Sequence, residues 1–176
     1  MRPPDVQAPP FWAMYVGVPK IEDAAAQIQR LGGRAHTPII EIPGVGRLQM
    51  MADPQGAVFY VYEPASADQA PEADAEVGDA SWRELMTTDA PAAMTFYGEL
   101  FGWQPGETMD MGPAGLYHLF TRPHGMIGGM MNKPPEMAGV PPNWQIYFRV
   151  PDVHAAAERI AAGGGQVLNG PMQLPD

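Results

Sequence analysis

The sequence contains no cysteine, so it offers neither a disulfide framework nor thiolate chemistry. It has no apolar run of about 18 residues, so no segment is predicted to cross a membrane. The first ten residues, MRPPDVQAPP, lack the apolar stretch of a signal peptide, and we expect a cytoplasmic protein. Basic residues are few: ten face twenty acids, and the formal net charge of −10 argues against nucleic acid and anionic membrane surfaces as partners.

The residues that are present predict a globular chain of short elements. Of 176 residues, 45% are hydrophobic, which is enough for a core, and 20 glycines and 21 prolines mark frequent turns. Residues 65–80, ASADQAPEADAEVGDA, contain five acids, no base and no aromatic residue. This composition predicts a solvated linker.

Two segments on either side of this linker are similar to each other. FWAMYVGVP (11–19) aligns with NWQIYFRVP (143–151) at an offset of 132, and the alignment extends without a gap to residues 43 and 175. The matched pairs include Trp12 with Trp144, Tyr15 with Tyr147, Ile28 with Ile160, and Gly32 with Gly164. This agreement indicates an internal repeat.

Periodicity assigns the same element order, β-α-β-β-β, to each unit. In the first unit we predict a strand at 12–18, a helix at 21–31, and strands at 34–42, 46–51 and 57–63. A fainter copy contains a strand in SWRELMTTD (81–89), a helix at 90–101, and strands at 103–111, 115–122 and 126–132. The third unit contains a strand at 144–150, a helix at 153–162 and one more strand. The predicted class is α+β.

The third unit ends early. Asp176 aligns with Gly44, so the counterpart of MMADPQGAVFYVYEP (50–64) would lie beyond the last residue. The opening MRPPDVQAPPFW also resembles the internal segment MNKPPEMAGVPPNW (131–144). We therefore expect the chain to hold about two and a half units of four. A sheet edge left unpaired in this way favours pairing with another chain, and a homodimer is our expectation for it.

The tandem units, AAMTFYGELFGW (92–103) and ADPQGAVFYVYEP (52–64), together resemble the vicinal oxygen chelate superfamily. That superfamily contains glyoxalase I, bleomycin-resistance proteins, extradiol dioxygenases and methylmalonyl-CoA epimerase, and the chain is most similar to its tandem-domain, hydroxylase-like members. The resemblance implies curved mixed sheets around a cavity, with helices on their outer face. It divides the chain into residues 1–64 of a first domain, the linker at 65–80, and a second domain at 81–176 that lacks its closing strands.

Strand alternation then predicts which side chains face the implied cavity. In the first strand of the third unit these are Gln145, Tyr147 and Arg149, and in the second unit they are Trp82, Glu84 and Met86. Tyr60 is the corresponding candidate on the closing strand of the first unit. His118 lies in the middle of a strand and is a further ligand-binding candidate, although a surface or hydrogen-bonded histidine is the commoner case.

The metal ligands of the superfamily are not matched here. The resemblance places first-strand ligands at Ala13, Trp82 and Gln145 and a closing-strand ligand at Tyr60. Alanine and tryptophan cannot ligate, tyrosine is an uncommon ligand, and the amide oxygen of Gln145 would bind a metal only weakly. The histidines show no ligand spacing. We therefore predict no metal and no other cofactor, and a divalent metal remains the less favoured alternative.

These residues predict a protein that binds a small organic molecule. Glu84 and Arg149 fall on facing strands and are the catalytic candidates, with Glu84 as a general base. A structural ion pair between the two strands is the alternative for them. A metal-dependent lyase, isomerase or dioxygenase whose ligands come from elsewhere, and a non-catalytic sequestering protein of the resistance type, are the alternative functions.

Overall fold

The computed structural model describes residues 11–66, 75–123 and 125–173. The first unit consists of β1 (Tyr15–Gly17), α1 (Ile21–Arg30), β2 (Arg34–Ala35), β3 (Ile40–Ile42), β4 (Gly46–Ala52) and β5 (Val58–Pro64). The second consists of β6 (Ala80–Thr87), α2 (Ala90–Phe101), β7 (Gln104–Asp110), β8 (Leu116–Arg122) and β9 (Gly125–Asn132), and β10 (Asn143–Phe148) and α3 (Val153–Ala162) follow. None of the described helices is long and apolar enough to cross a membrane.

The strands form two mixed sheets, which confirms the α+β class. Sheet 1 has the order β1-β5-β4-β2, with β3 also paired to β4, and sheet 2 has the order β10-β6-β9-β8-β7. In each unit the first strand runs parallel to the last one, β1 beside β5 and β6 beside β9, and the other ladders are antiparallel. The third unit joins sheet 2 through β10, which is antiparallel to β6.

The helix boundaries follow from local capping. Asp89 precedes α2 and accepts a hydrogen bond from the backbone N–H of Ala92 at 3.0 Å, and Asp152 accepts from the first turn of α3. Lys20, which precedes α1, makes no such side-chain hydrogen bond to the first turn of the helix. Instead, Glu63 reaches over from β5 and accepts from the N–H of Ile21 at 2.8 Å, close to the positive end of the helix dipole.

Several predicted strands differ from those observed. The strand predicted at 12–18 is limited to β1, and the strand predicted at 34–42 is interrupted between β2 and β3. Pro38 lies in this interruption and has no N–H to donate to a ladder, and the hydroxyl of Thr37 accepts from the N–H of Met50 at 3.1 Å there. No strand follows α3 within residues 163–173, in contrast to the prediction. Residues 67–74 of the predicted linker lie outside the described residues, and Ala80 already belongs to β6.

The helix-bearing faces of the two sheets share one hydrophobic core. Phe59 on β5 packs edge-on against Tyr97 of α2, with ring centroids 5.6 Å apart, and Gln27 of α1 donates to the carbonyl of Glu99 in α2. Tyr97 is also surrounded by Trp103 and Trp144, and these rings belong to a single cluster of buried side chains. The opposite faces of the two sheets therefore point away from this core.

A buried hydrogen-bond chain crosses the core from one unit to the other. The indole N–H of Trp144 donates to the hydroxyl of Tyr97 at 3.0 Å, and that hydroxyl donates to the carboxylate of Asp53 at 3.0 Å. Asp53 is fully buried, and its other oxygen accepts from the N–H groups of Gly56 and Ala57. Burial raises the pKa of Asp53 and raises that of Tyr97 well above its ordinary value, so the phenol remains a donor.

Helices α1 and α3 occupy equivalent positions of the repeat but differ in burial. Ile21 and Ile28 of α1 are fully buried, whereas Val153 and Ile160, offset from them by 132, are each 52% exposed. The strands β4 and β5 cover α1, and no such pair covers α3 among the described residues.

Replacing Tyr97 by phenylalanine should destabilise the protein markedly. The change deprives Asp53 of a donor and Trp144 of an acceptor inside the core, and an unsatisfied buried polar group costs about 1–3 kcal/mol. Urea denaturation of Tyr97→Phe checks this, with Tyr62→Phe as the matched control because its hydroxyl bonds to the Val45 carbonyl in an exposed position. Equal losses of unfolding free energy in the two variants would contradict the importance of the buried chain.

The amides of α3 should exchange with solvent faster than those of α1. A ten-residue helix is marginal in water without packing, and the apolar residues of α3 are half-exposed. Hydrogen–deuterium exchange followed by mass spectrometry compares the two helices in one experiment. Equal protection would mean that α3 is covered in solution.

Candidate functional site

Five of the eight predicted site residues gather on one face of sheet 2, the face turned away from the hydrophobic core, which we call its open face. The register of β6 and β10 places Glu84 opposite Gln145, Trp82 opposite Tyr147, and Met86 opposite Asn143. Directly opposed residues share a face, so these side chains lie together, on the face away from the core. The other face of the same two strands carries Leu85 opposite Trp144, both buried in the core.

Glu84 is the polar centre of this face. The residue is only 8% exposed. Each oxygen of its carboxylate accepts a hydrogen bond from one phenol hydroxyl. Tyr117 of β8 donates to one oxygen at 2.9 Å, and Tyr147 of β10 donates to the other at 3.0 Å. Gln145 places its amide oxygen 3.4 Å from the Tyr147 hydroxyl. Side chains of β8 and β10 therefore contact one carboxylate, which β6 carries.

Trp82 adds a further hydrogen bond to this group of side chains, and Gly129 leaves space for the Tyr117 ring. The indole N–H of Trp82 donates to the Tyr117 hydroxyl at 2.8 Å, so Tyr117 accepts from Trp82 and donates to Glu84. The Tyr117 ring lies directly on Gly129 of β9, where an added Cβ would come within 2.2 Å of ring carbon. Only glycine leaves the ring its place beside the carboxylate. We refer to Trp82, Glu84, Tyr117, Gln145 and Tyr147 as the Glu84 cluster.

The electrostatics of the Glu84 cluster keep its phenols protonated. Burial raises the pKa of both Tyr117 and Tyr147 above the ordinary value, and the neighbouring Glu84 carboxylate adds to the shift because a second negative charge beside it is unfavourable. Both hydroxyls are therefore hydrogen-bond donors over the physiological pH range. In the parts of the chain that the structure describes, Glu84 forms no ion pair.

Three of the predicted residues lie elsewhere. Arg149 donates to the backbone carbonyl of Ala75 at 2.8 Å, so the structure does not bring its guanidinium to Glu84. Tyr60 belongs to sheet 1, where its ring stacks on Tyr15 with centroids 4.6 Å apart and burial raises its pKa. His118 is one residue from Tyr117 on β8 and lies on the opposite face, with Nδ1 3.2 Å from the hydroxyl of Thr108.

Tyr117 is the residue that the sequence analysis missed. The run LYHLFTR alternates, and β8 pairs with β9 so that Tyr117 faces Met131 and His118 faces the buried Met130. The sequence analysis chose His118 for its chemistry, and His118 lies on the opposite face from the Glu84 cluster because one step along a strand reverses the side-chain direction. Phe120 in the core would have fixed the register, since it shares its face with His118.

A cleft of about 480 Å³ lies at a different place, between the two units. Residues 14–19, which include β1, and Pro64 line it from the first unit, and Arg83, Trp103, Arg122 and Ile127 line it from the second. Arg83 is on the core side of β6, two strand positions from Leu85, and burial lowers its pKa. None of the predicted site residues lines this cleft.

The potential ligand groups of the described residues do not fit a metal centre. Within residues 11–66, 75–123 and 125–173, no three side chains of histidine, cysteine, aspartate or glutamate lie close enough together to hold an ion. Around Glu84 the neighbours are phenol, indole and amide groups, and the phenols retain their protons. Metal sites of the kind used by lyases and dioxygenases need several imidazole or carboxylate ligands.

Known proteins are similar to this chain in sequence and in fold. The family model described as the Glyoxalase/Bleomycin resistance protein/Dioxygenase superfamily matches residues 80–175, more than half of the chain. The protein named "Putative glyoxylase CFP32" of Mycobacterium tuberculosis is 30% identical over 167 residues, covering 95% of this chain and 62% of its own length. The anthracycline biosynthesis protein DauV of Streptomyces sp. strain C5 is 29% identical over 168 residues, covering 95% and 59%. The chain thus spans about three fifths of the length of these relatives.

Two solved structures have the same fold at low sequence identity. The 2,2',3-trihydroxybiphenyl 1,2-dioxygenase of Sphingomonas wittichii aligns with a TM-score of 0.59 at 12% identity, over 89% of this chain and 60% of its own. The Mn(II)-bound glyoxalase of Novosphingobium aromaticivorans aligns with a TM-score of 0.57 at 14% identity, over 85% and 50%. With the repeated β-α-β-β-β units and the family match, these findings assign the protein: it belongs to the glyoxalase/bleomycin resistance protein/dioxygenase superfamily, the vicinal oxygen chelate fold.

Proposed function

We propose that the protein binds a small organic molecule on the open face of sheet 2, with Glu84 as the polar anchor. The observation that carries this proposal is the convergence of Tyr117 and Tyr147 on the two oxygens of one carboxylate, outside the core. Burying a carboxylate is costly unless it is fully hydrogen-bonded, so such a group on an open sheet face favours a role in recognition.

The surroundings of the carboxylate suit an organic ligand better than a bare ion. Trp82 and Tyr117 are half-buried, Tyr147 is 45% exposed, and Met86 adds a flexible apolar side chain to the same face. Aromatic groups and methionine give adaptable apolar contact area, and a few fixed polar groups then set the orientation of the ligand. The relatives support a small-molecule role, since one is named as a glyoxylase and another as an anthracycline biosynthesis protein.

An NMR screen of small organic fragments tests this proposal. The chain has four tryptophans, and their indole N–H signals report on different places: Trp82 is in the Glu84 cluster and Trp103 lines the cleft between the units. Fragments should shift the Trp82 signal, and Tyr147→Phe should weaken binding by about tenfold through loss of a donor to Glu84. Tyr62→Phe is the control on sheet 1. Fragments that shift only the Trp103 signal would overturn the proposal and locate the site in the cleft.

Replacing Gly129 by alanine should disrupt the site without removing any polar group. The new methyl group would displace the Tyr117 ring and break its hydrogen bonds to Glu84 and from Trp82. We expect a changed Trp82 indole signal and fragment affinity lowered by about tenfold or more. Gly139→Ala is the matched control, because an added Cβ there meets nothing within 4 Å. Unchanged affinity in Gly129→Ala would mean that Tyr117 does not shape the site.

The fate of a bound fragment separates an enzyme from a sequestering protein. In an enzyme, Glu84 is the group placed to accept a proton from the ligand, because its oxygens keep unused lone pairs. A compound recovered unchanged after long incubation, at full occupancy, would favour sequestration. A compound changed by the protein but not by Glu84→Gln would favour catalysis.

A further inference from the structure

The Glu84 carboxylate lacks a cationic partner among the described residues. It is more than nine-tenths buried, yet its two hydrogen-bond partners are neutral phenols, at 2.9 and 3.0 Å. An ionised carboxylate has about four lone-pair sites, so one hydrogen bond on each oxygen leaves further acceptor capacity. The usual partner of a buried carboxylate is a positive charge.

The donors around this carboxylate are already committed within the Glu84 cluster. The Trp82 N–H is used on Tyr117, and both phenol hydroxyls are used on Glu84. Apart from the amide nitrogen of Gln145, what the cluster offers a ligand is acceptor oxygens and aromatic surface. A ligand group that donates hydrogen bonds therefore fits, and a carboxylate or phosphate does not.

The aromatic side chains add a preference for positive charge. Tyr117 and Tyr147 contact the Glu84 carboxylate, and Trp82 is hydrogen-bonded to Tyr117. The π faces of such rings attract ammonium groups, more strongly when water is partly excluded. The chain as a whole has a formal net charge of −10, which raises the local concentration of cations and repels anions.

We propose that the Glu84 cluster recognises the protonated amine of a small organic ligand. This inference rests on the proposed function, since it names the chemical class of molecule held at the same face. The ammonium group would supply the missing counter-charge to Glu84, and the rest of the ligand would lie against Trp82 and the exposed ring of Tyr147.

Four matched aromatic probes test the charge preference directly. Benzylamine, benzyltrimethylammonium, benzyl alcohol and phenylacetate are similar in size and differ in charge and in donor groups. Titrated to millimolar concentrations against the Trp82 indole signal, the two cations should bind at least about tenfold more tightly than the alcohol, and phenylacetate most weakly. Glu84→Gln should abolish the advantage of the cations over benzyl alcohol. Glu99→Gln, an exposed acid on α2, is the control for a general effect of net charge.

Each result decides between the two proposals. Equal binding of the alcohol and the cations at Trp82 would overturn the ammonium inference and leave the organic-ligand proposal standing. Cation binding that Glu84→Gln and Glu99→Gln weaken equally would also overturn it, because the preference would then come from net charge. If no probe shifts the Trp82 signal while other fragments do, the ammonium inference fails alone, and if no fragment of any class shifts it, both fail.

Discussion

The hydrogen-bond chain from Trp144 through Tyr97 to Asp53 is the constraint on which the arrangement of the units depends. All three side chains are buried, and each is the hydrogen-bond donor or acceptor of its neighbour. Removal of one therefore leaves another polar group without a hydrogen bond in the core. The chain joins α2, β10 and the turn that precedes β5, which come from all three units of the repeat. Apolar contacts such as Phe59 against Tyr97 add free energy, but the hydrogen bonds have direction and so fix how the two sheets face each other.

This arrangement determines where chemistry can occur. The helix-bearing faces of both sheets are buried in one core. The side chains of β6 and β10 that alternate with the core residues therefore point to the opposite, open face. Leu85 and Trp144 hold the two strands from the core side, and Glu84 and Gln145 are thereby held in register on the other side. A site on strands has this advantage over a site on loops, since the core that stabilises the fold also positions the functional groups.

The sequence predicted the local structure well and the contacts between units poorly. Helices α2 and α3 occur at the predicted residues because capping aspartates and apolar spacing are local signals. The faces of Glu84, Gln145 and Tyr147 followed from alternation alone. In contrast, alternation alone places Phe148 on the core face with Trp144, yet Phe148 lies 39% exposed against Trp12, because the ladder is irregular after Tyr147. The phenol partners of Asp53 and Glu84 come from residues 33 to 63 positions away, and no local pattern encodes them.

The repeat itself explains why a carboxylate meets phenols at this site. The capping residues Asp89 and Asp152 are 63 positions apart, and the same offset relates Trp82 to Gln145 and Glu84 to Tyr147. The antiparallel register pairs Trp82 with Tyr147, Arg83 with Ile146, and Glu84 with Gln145. The equivalent positions Glu84 and Tyr147 are therefore diagonal neighbours, related by a local twofold axis at the Arg83–Ile146 pair. Identical units would have placed two carboxylates within reach of each other, at the cost of repulsion between like charges. Divergence of the copies, with glutamate in one and tyrosine in the other, replaces that repulsion by a hydrogen bond, and it leaves a single negative charge on an aromatic face.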